Sequence, residues 1–168
     1  MKKVALIYSF NSTKTAKIAE KIFKEWGDDS METLNAETID ENTFLSYKNM
    51  ILGVPTWFDG ELPNYWDEFG PAIEDMDLKG INIALFGLGD QVNYPENFLD
   101  AVGIMANLLE SRGAGIVGYT SVEGYNFEHS LAQRGNRFAG LAIDFENQHQ
   151  LINARVSNWT NELKKQFS

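Results

Sequence analysis

Cysteine is absent from the 168 residues, which excludes disulfides, thiolate nucleophiles and cysteine-held metals, and leaves any redox chemistry to a bound cofactor. Histidine occurs twice; His129 and His149 have no partners at metal-ligand spacing and read as surface residues. No apolar run approaches the ~18 residues that a membrane-spanning helix needs. The opening Met1-Lys2-Lys3-Val4 runs into a strand without the apolar core and small-residue cleavage site of a secretory leader, so a cytoplasmic location is expected. Basic residues are also scarce: 14 Lys and Arg stand against 24 Asp and Glu, for a formal charge of −10. A phosphate backbone would be repelled, which argues against nucleic acid. The imbalance is local. Residues 55 to 100 hold ten carboxylates and one cation, Lys79, and this stretch reads either as ordinary solubilising charge or as a face that steers toward basic partners.

What the chain has is an apolar share of 43% and an aromatic share of 12%, enough for one well-buried core, and a single domain over 1–168 is expected. Val4 to Tyr8 is a continuous apolar run, the pattern of a strand covered on both faces. From Thr15 to Trp26 the period changes: Ile18, Ala19, Ile22, Phe23 and Trp26 recur at helical spacing, and Gly27 ends the segment. Further strands are expected at Met31–Leu34, Met50–Gly53 and Ile81–Phe86. A long helix carries Phe98, Ala101, Val102, Met105, Leu108 and Leu109, and a closing helix carries Ile152, Val156, Trp159, Leu163 and Phe167. Ile116-Val117 and Phe138–Ile143 read as strand segments separated by about twenty polar and glycine-rich residues. Five strands alternating with about five helices predict an α/β fold, an open, doubly wound parallel sheet with helices on both faces. Ligands of such sheets sit beyond the carboxyl ends of the strands, which directs attention to the loops after Tyr8, Gly53 and Phe86.

The first loop, Ser9-Phe10-Asn11-Ser12-Thr13-Lys14-Thr15, offers hydroxyls, one cation and the start of a helix. There the free N–H groups and the helix dipole suit a phosphate. The same residue types are ordinary helix caps, and the loop alone does not choose between the two. It lacks the glycines and Gly-Lys-Ser/Thr of a nucleotide-binding P-loop. The second loop presents Pro55, Thr56, Trp57, Phe58, Asp59 and Gly60 before Glu61-Leu62-Pro63. A tryptophan leaving the core on such a loop either meets a ligand or folds back inside. The third, Gly87-Leu88-Gly89-Asp90-Gln91-Val92-Asn93-Tyr94, adds a second aromatic beside a carboxylate, and two aromatics on neighbouring loops are suited to stacking on a planar heterocycle.

Pro55-Thr56-Trp57 with Gly60-Glu61, and Gly87-x-Gly89-Asp90-Gln91 followed by Tyr94, resemble flavodoxins. The match continues through Arg112-Gly113, Gly124-Tyr125 and Gly140-Leu141-Ala142-Ile143-Asp144, and covers essentially the whole chain. The interruption of the last strand, about 120–137, resembles the insertion of the long-chain class. The resemblance implies strand order 2-1-3-4-5 and one non-covalently bound FMN. Its phosphate would lie in the loop of Phe10, Asn11, Ser12, Thr13, Lys14 and Thr15, and its ring between Trp57 and Tyr94. Leu88 and Gly89 would belong to the loop beside the ring, Asp90 would lie near its pyrimidine end, Asn97 would be a peripheral contact, and Glu146 would lie near the ribityl chain. The implied role is a one-electron carrier, not an enzyme, shuttling between redox partner proteins and working as a monomer; the stacked aromatics and local carboxylates are expected to make it low-potential, and the acidic rim to favour basic-faced partners.

The chain departs from the resemblance in two places. The family's phosphate loop carries Ser or Thr where Phe10 stands and glycine where Ser9 and Thr13 stand. A lost hydrogen bond to a charged phosphate is worth ~1.5 to 3 kcal/mol, so weaker FMN binding than is usual for the fold is expected. Phe58-Asp59 occupies the peptide that turns over beside the ring on reduction. Because Phe disfavours φ > 0, the one-electron-reduced state is expected to be less stabilised here. Competing readings are an FMN-dependent quinone reductase, for which a ring capped on both sides leaves little room; a phosphoryl receiver, which lacks the needed carboxylate cluster; and an interaction module that has lost its cofactor.

Overall fold

The computed structural model describes residues 3–167; Met1 and Lys2, read above as part of the approach to the first strand, lie outside the described residues. The first strand, β1 (Val4–Tyr8), is followed by α1 (Lys14–Trp26), β2 (Met31–Asn35), α2 (Glu41–Leu45), β3 (Asn49–Gly53), α3 (Asn64–Glu74), β4 (Asn82–Leu88) and α4 (Asp100–Ser111). All pairings among these strands are parallel, in the order β2-β1-β3-β4.

Side-chain alternation along the central strands divides the interior in two. Val4, Leu6, Ile51, Ala84 and Phe86 face a cluster with Ile18, Ile22 and Trp26 of α1, whereas Ala5, Ile7, Met50, Leu52, Ile83 and Leu85 face one with Trp66 of α3 and Val102 and Met105 of α4. This is why the central strands read as unbroken apolar runs: each residue meets one core or the other. The α1 stripe is formed by Ile18, Ala19, Ile22 and Trp26. Phe23, expected on the same stripe, is instead 46% exposed, because one residue beyond Ile22 the helix has turned ~100°.

The edge beyond β4 is shared by two short strands. β5 (Gly115–Val117) pairs with Asn82–Ala84 of β4. The chain then leaves the sheet through β6 (Thr120–Ser121), β7 (Gln133–Arg134) and β8 (Arg137–Phe138), an antiparallel trio in the order β6-β8-β7. It returns as β9 (Leu141–Ile143), parallel to Phe86–Leu88 of the same β4. The expected interruption of the last strand is thus present, with one correction: Phe138 belongs to the inserted trio and not to the returning strand. Its fully buried ring packs on Phe98, Tyr125 and Phe127, so the insertion carries apolar cover for the α4 side of the sheet. Gly140 makes the re-entry possible, since a Cβ there would sit 2.4 Å from the Leu85 carbonyl oxygen. A short 3-10 turn (His149–Leu151) leads into α5 (Ile152–Gln166), which packs beside α1 through Ile152, Val156, Trp159 and Leu163.

Candidate functional site

Because β1 lies between β2 and β3, and β3 between β1 and β4, the loops leaving Tyr8, Gly53 and Leu88 emerge side by side at one edge of the sheet. They enclose a cleft of about 940 Å³. Asn11, Ser12, Thr13, Lys14 and Thr15 line it from the first loop, Pro55, Thr56, Trp57 and Phe58 from the second, and Leu88, Gly89, Asp90, Tyr94 and Asn97 from the third; Glu146 closes one side. Phe10, Asp59 and Gly60 were expected in the same set and do not line it.

At the α1 end, hydroxyl and backbone groups have separate duties. The Ser12 hydroxyl donates to the Ser9 carbonyl (2.7 Å) and accepts from the Ala16 N–H (3.1 Å), so it caps the helix. Thr13 makes no side-chain cap. Among the described residues, the N–H groups of Thr13, Lys14 and Thr15 donate to no protein acceptor, which leaves three donors at the positive end of a thirteen-residue helix. Thr13 sits at φ −96°, a right-handed conformation that a β-branched residue adopts without strain, so this departure from a glycine loop has no backbone cost. Phe10 lies outside the cleft, its ring 5.0 Å from Tyr8 and its N–H donated to Asn35 Oδ1 at 3.2 Å. The Lys14 ammonium is paired with Glu146 and also stands 5.7 Å above the Phe145 ring.

The second loop is a tight hairpin. Trp57 and Glu61 exchange backbone hydrogen bonds of 2.8 and 2.7 Å across Phe58, Asp59 and Gly60. Trp57 remains 37% exposed with its ring edge-on to Tyr65 at 5.9 Å. Phe58 is 76% exposed and adopts φ +49°. Phenylalanine disfavours positive φ, yet a three-residue hairpin that reverses so sharply imposes the left-handed conformation on Phe58, whose backbone carries the strain. Gly60 holds the loop from behind, at φ +97° and with Asp100 Oδ2 2.7 Å from where a Cβ would lie. The Thr56 hydroxyl accepts the Ala101 N–H (3.1 Å) near the start of α4.

The third loop is wound around two carboxylates. Asp90 accepts the N–H groups of Val92 and Asn93 at 3.1 and 2.9 Å, the Asn93 amide at 2.8 Å and the Asn147 amide at 2.8 Å. Burial pushes its carboxyl upward, but these donors outweigh it and hold the group below the usual carboxylate value. Asp144, fully buried, accepts the N–H and side-chain amide of Gln91 at 3.1 and 2.7 Å and the N–H of Asn147 at 2.9 Å. Gln91 in turn accepts the Asn126 N–H at 2.6 Å, tying the loop to the insertion. Tyr94, at the loop's end, is 51% exposed.

Five further residues line the cleft: Ser9, Glu37, Tyr65, Asn93 and Phe145. Ser9 and Asn93 lie inside loops already singled out. Glu37 follows β2 and Tyr65 begins α3, and their arrival depends on topology and helix docking, which leave no local pattern. Glu37 accepts the Asn11 side-chain amide at 2.6 Å. The Tyr65 hydroxyl has no hydrogen-bond partner, the only such buried side-chain atom among the described residues. Burial pushes its phenol far up, and the Glu37 charge adds to the effect, so it remains an O–H donor at physiological pH. The cleft therefore offers unpaired N–H groups at one end, the exposed aromatics Trp57, Phe58 and Tyr94 at the other and polar side chains between.

Residues 6–159 match the flavodoxin family. A flavodoxin of Synechococcus elongatus is 40% identical over 168 residues, covering 99% of each chain. One of Nostoc sp. is 38% identical over 166 residues, covering 99% of this chain and 98% of its own. Among solved structures, Fusobacterium nucleatum flavodoxin bound to flavin mononucleotide superposes with a TM-score of 0.94 at 30% identity over 100% of both chains. Oxidised flavodoxin 2 of Bacillus cereus gives a TM-score of 0.74 at 29% identity over 98% of this chain and 99% of its own. With this sheet order and a split fifth strand, the chain belongs to the flavodoxin family, electron-transfer flavoproteins rather than enzymes.

Proposed function

We propose that the cleft binds one FMN non-covalently and that the protein is a low-potential one-electron carrier between partner proteins. The observation that carries the reading is the run of unpartnered N–H groups at Thr13, Lys14 and Thr15, in the same cleft as exposed Trp57 and Tyr94. An anionic phosphate is stabilised by the first, and a flat, apolar-faced ring by the second. Asn11, Ser12, Lys14, Thr13 and Thr15 form the phosphate end in this reading; Thr56, Pro55, Phe58, Leu88, Gly89, Asp90 and Asn97 surround the ring. Glu146 acts through Lys14. Asp59 and Gly60 set the hairpin, and Phe10 contributes through the turn it shares with Asn11.

Bound FMN supplies a ring that takes up one or two electrons. The chain's own contribution is electrostatic. Asp90, held as a carboxylate by its donors, and the acid-rich stretch around it oppose added negative charge, which lowers the second reduction potential; each tenfold difference in affinity between adjacent redox states corresponds to ~59 mV. Trp57 and Tyr94 exclude water from the ring faces. The acidic rim between residues 55 and 100 attracts basic faces of donor and acceptor proteins, with transfer rates that fall as salt rises. The test is to titrate flavin-free protein with FMN while following fluorescence, then reduce the complex stepwise under absorbance. Quenching with a dissociation constant in the micromolar range or tighter, followed by two resolved one-electron steps, is expected. A protein that leaves FMN fluorescence unchanged would overturn the reading.

A further inference from the structure

Tyr65 lies between the two ends of the cleft. Its ring meets Trp57 edge-on at 5.9 Å and 88°, and its phenol feels the charge of Glu37, whose carboxylate is tied to Asn11 in the α1 loop at 2.6 Å. The residue is only 7% exposed, it lines the cleft, and its hydroxyl is buried without a partner. Native proteins rarely leave a buried hydroxyl unpaired, because it has lost water and gained nothing. Here the side chain begins a helix whose neighbour Trp66 does find a partner, donating to the Gly53 carbonyl at 2.9 Å, so the local structure is not short of acceptors through disorder of the packing.

We infer that the Tyr65 hydroxyl is a ligand contact, completing its hydrogen bonding with the polyhydroxyl chain that joins the ring to the phosphate of FMN. The assignment rests on the FMN reading above and adds a residue to it. It follows from position: the donors of Thr13 to Thr15 mark the phosphate end and Trp57 marks the ring end, and the atom lying between them meets the linker. The residue is a positioning and affinity contact for the cofactor, with no part in electron transfer itself.

Tyr65→Phe removes the hydroxyl and leaves the ring against Trp57. The wild type and this variant would be compared, flavin-free, by fluorescence titration with FMN, with riboflavin and with lumiflavin, which keeps the ring but lacks the hydroxylated chain. Urea unfolding of both flavin-free proteins accompanies the titrations. Expected are a weakening of FMN and riboflavin by about fivefold to tenfold, unchanged lumiflavin binding, and an unfolding midpoint equal to or above that of wild type, since an unpaired group has been deleted. Unchanged FMN and riboflavin affinities would overturn the assignment, as would an equal loss with lumiflavin, which would place the effect on the ring. A lowered midpoint with unchanged affinities would overturn it in favour of a bond to Glu37. Failure of the wild type to bind FMN is a separate result, against the cofactor reading itself.

Discussion

The wall of the cleft from Gly89 to Tyr94 is held by Asp90 and Asp144, which together draw in the main chain of Gln91, Val92 and Asn93 and the side chains of Gln91, Asn93 and Asn147. The wall from Trp57 to Glu61 is closed by one reciprocal pair of backbone bonds, with Phe58 left-handed and largely exposed at its tip. A loop whose donors converge on fixed carboxylates has its shape before any ligand arrives, at the cost of burying a charge that must stay paired. A short hairpin with strain at one residue keeps a second arrangement within reach. The first wall is thus suited to setting the electrostatics of the site, and the second to accommodating a change in the ligand's state.

The contrast is broken most directly at Asp144. Asp144→Ala strands the buried Gln91 donors and takes an acceptor from Asn147, and we expect a loss of about 3 kcal/mol in urea unfolding of the flavin-free protein; a midpoint near wild type would mean that the first wall does not depend on this carboxylate. Next in size is the pair Trp57→Ala and Tyr94→Ala. Each is expected to weaken FMN by about tenfold or more through lost stacking, with Trp57→Ala also loosening the hairpin, so that its entropy of binding becomes less favourable by calorimetry. Equal and negligible losses would remove the two-sided contact from the site.

Phe58→Gly sharpens the comparison with a smaller effect. Relief of the left-handed strain is worth about 1 kcal/mol, partly offset by the greater freedom of glycine in the unfolded chain. The flavin-free protein should therefore keep or slightly raise its unfolding midpoint, while stepwise reduction accumulates more of the one-electron-reduced form than in wild type. The smallest effect concerns pH. The folded Asp90 carboxyl binds its proton less readily than the unfolded one, whose ordinary value is 3.8. Its contribution to folding is therefore complete above that value and is lost as pH falls through the lower folded one. Asp90→Asn should flatten stability in that acid window and leave the hairpin's behaviour on reduction unchanged; an unaltered acid profile would show that Asp90 is not the group that titrates.

Much of the site was readable because its signals are local. The strands announced themselves as apolar runs, and the three loops follow those runs directly. The strand order then brings Tyr8, Gly53 and Leu88 to a single edge. What escaped the sequence is nonlocal. Phe138 sits in an apolar run that continues to Ile143, and only its pairing with Thr120 and Gln133 separates it from the last strand. Ser12 and Thr13 are interchangeable as cap or ligand donor on paper; the geometry gives the cap to Ser12 and leaves the neighbouring N–H groups open. Phe58 could not be placed in the left-handed region by propensity, since the Trp57–Glu61 bridge that imposes it is a closure constraint.

The sequence by itself determined the alternation of strands and helices, the two aromatics after β3 and β4, and the crowding of carboxylates between residues 55 and 100, because each is a matter of residue type and spacing along the chain. Tertiary structure alone decided which polar groups are already spent. It buries Asp144 beneath Gln91, pairs Lys14 with Glu146, and brings Tyr65 to the cleft with its hydroxyl unpaired. Hydrogen-bond satisfaction depends on partners tens of residues away, and in a buried site it is what remains unsatisfied that is left for a ligand.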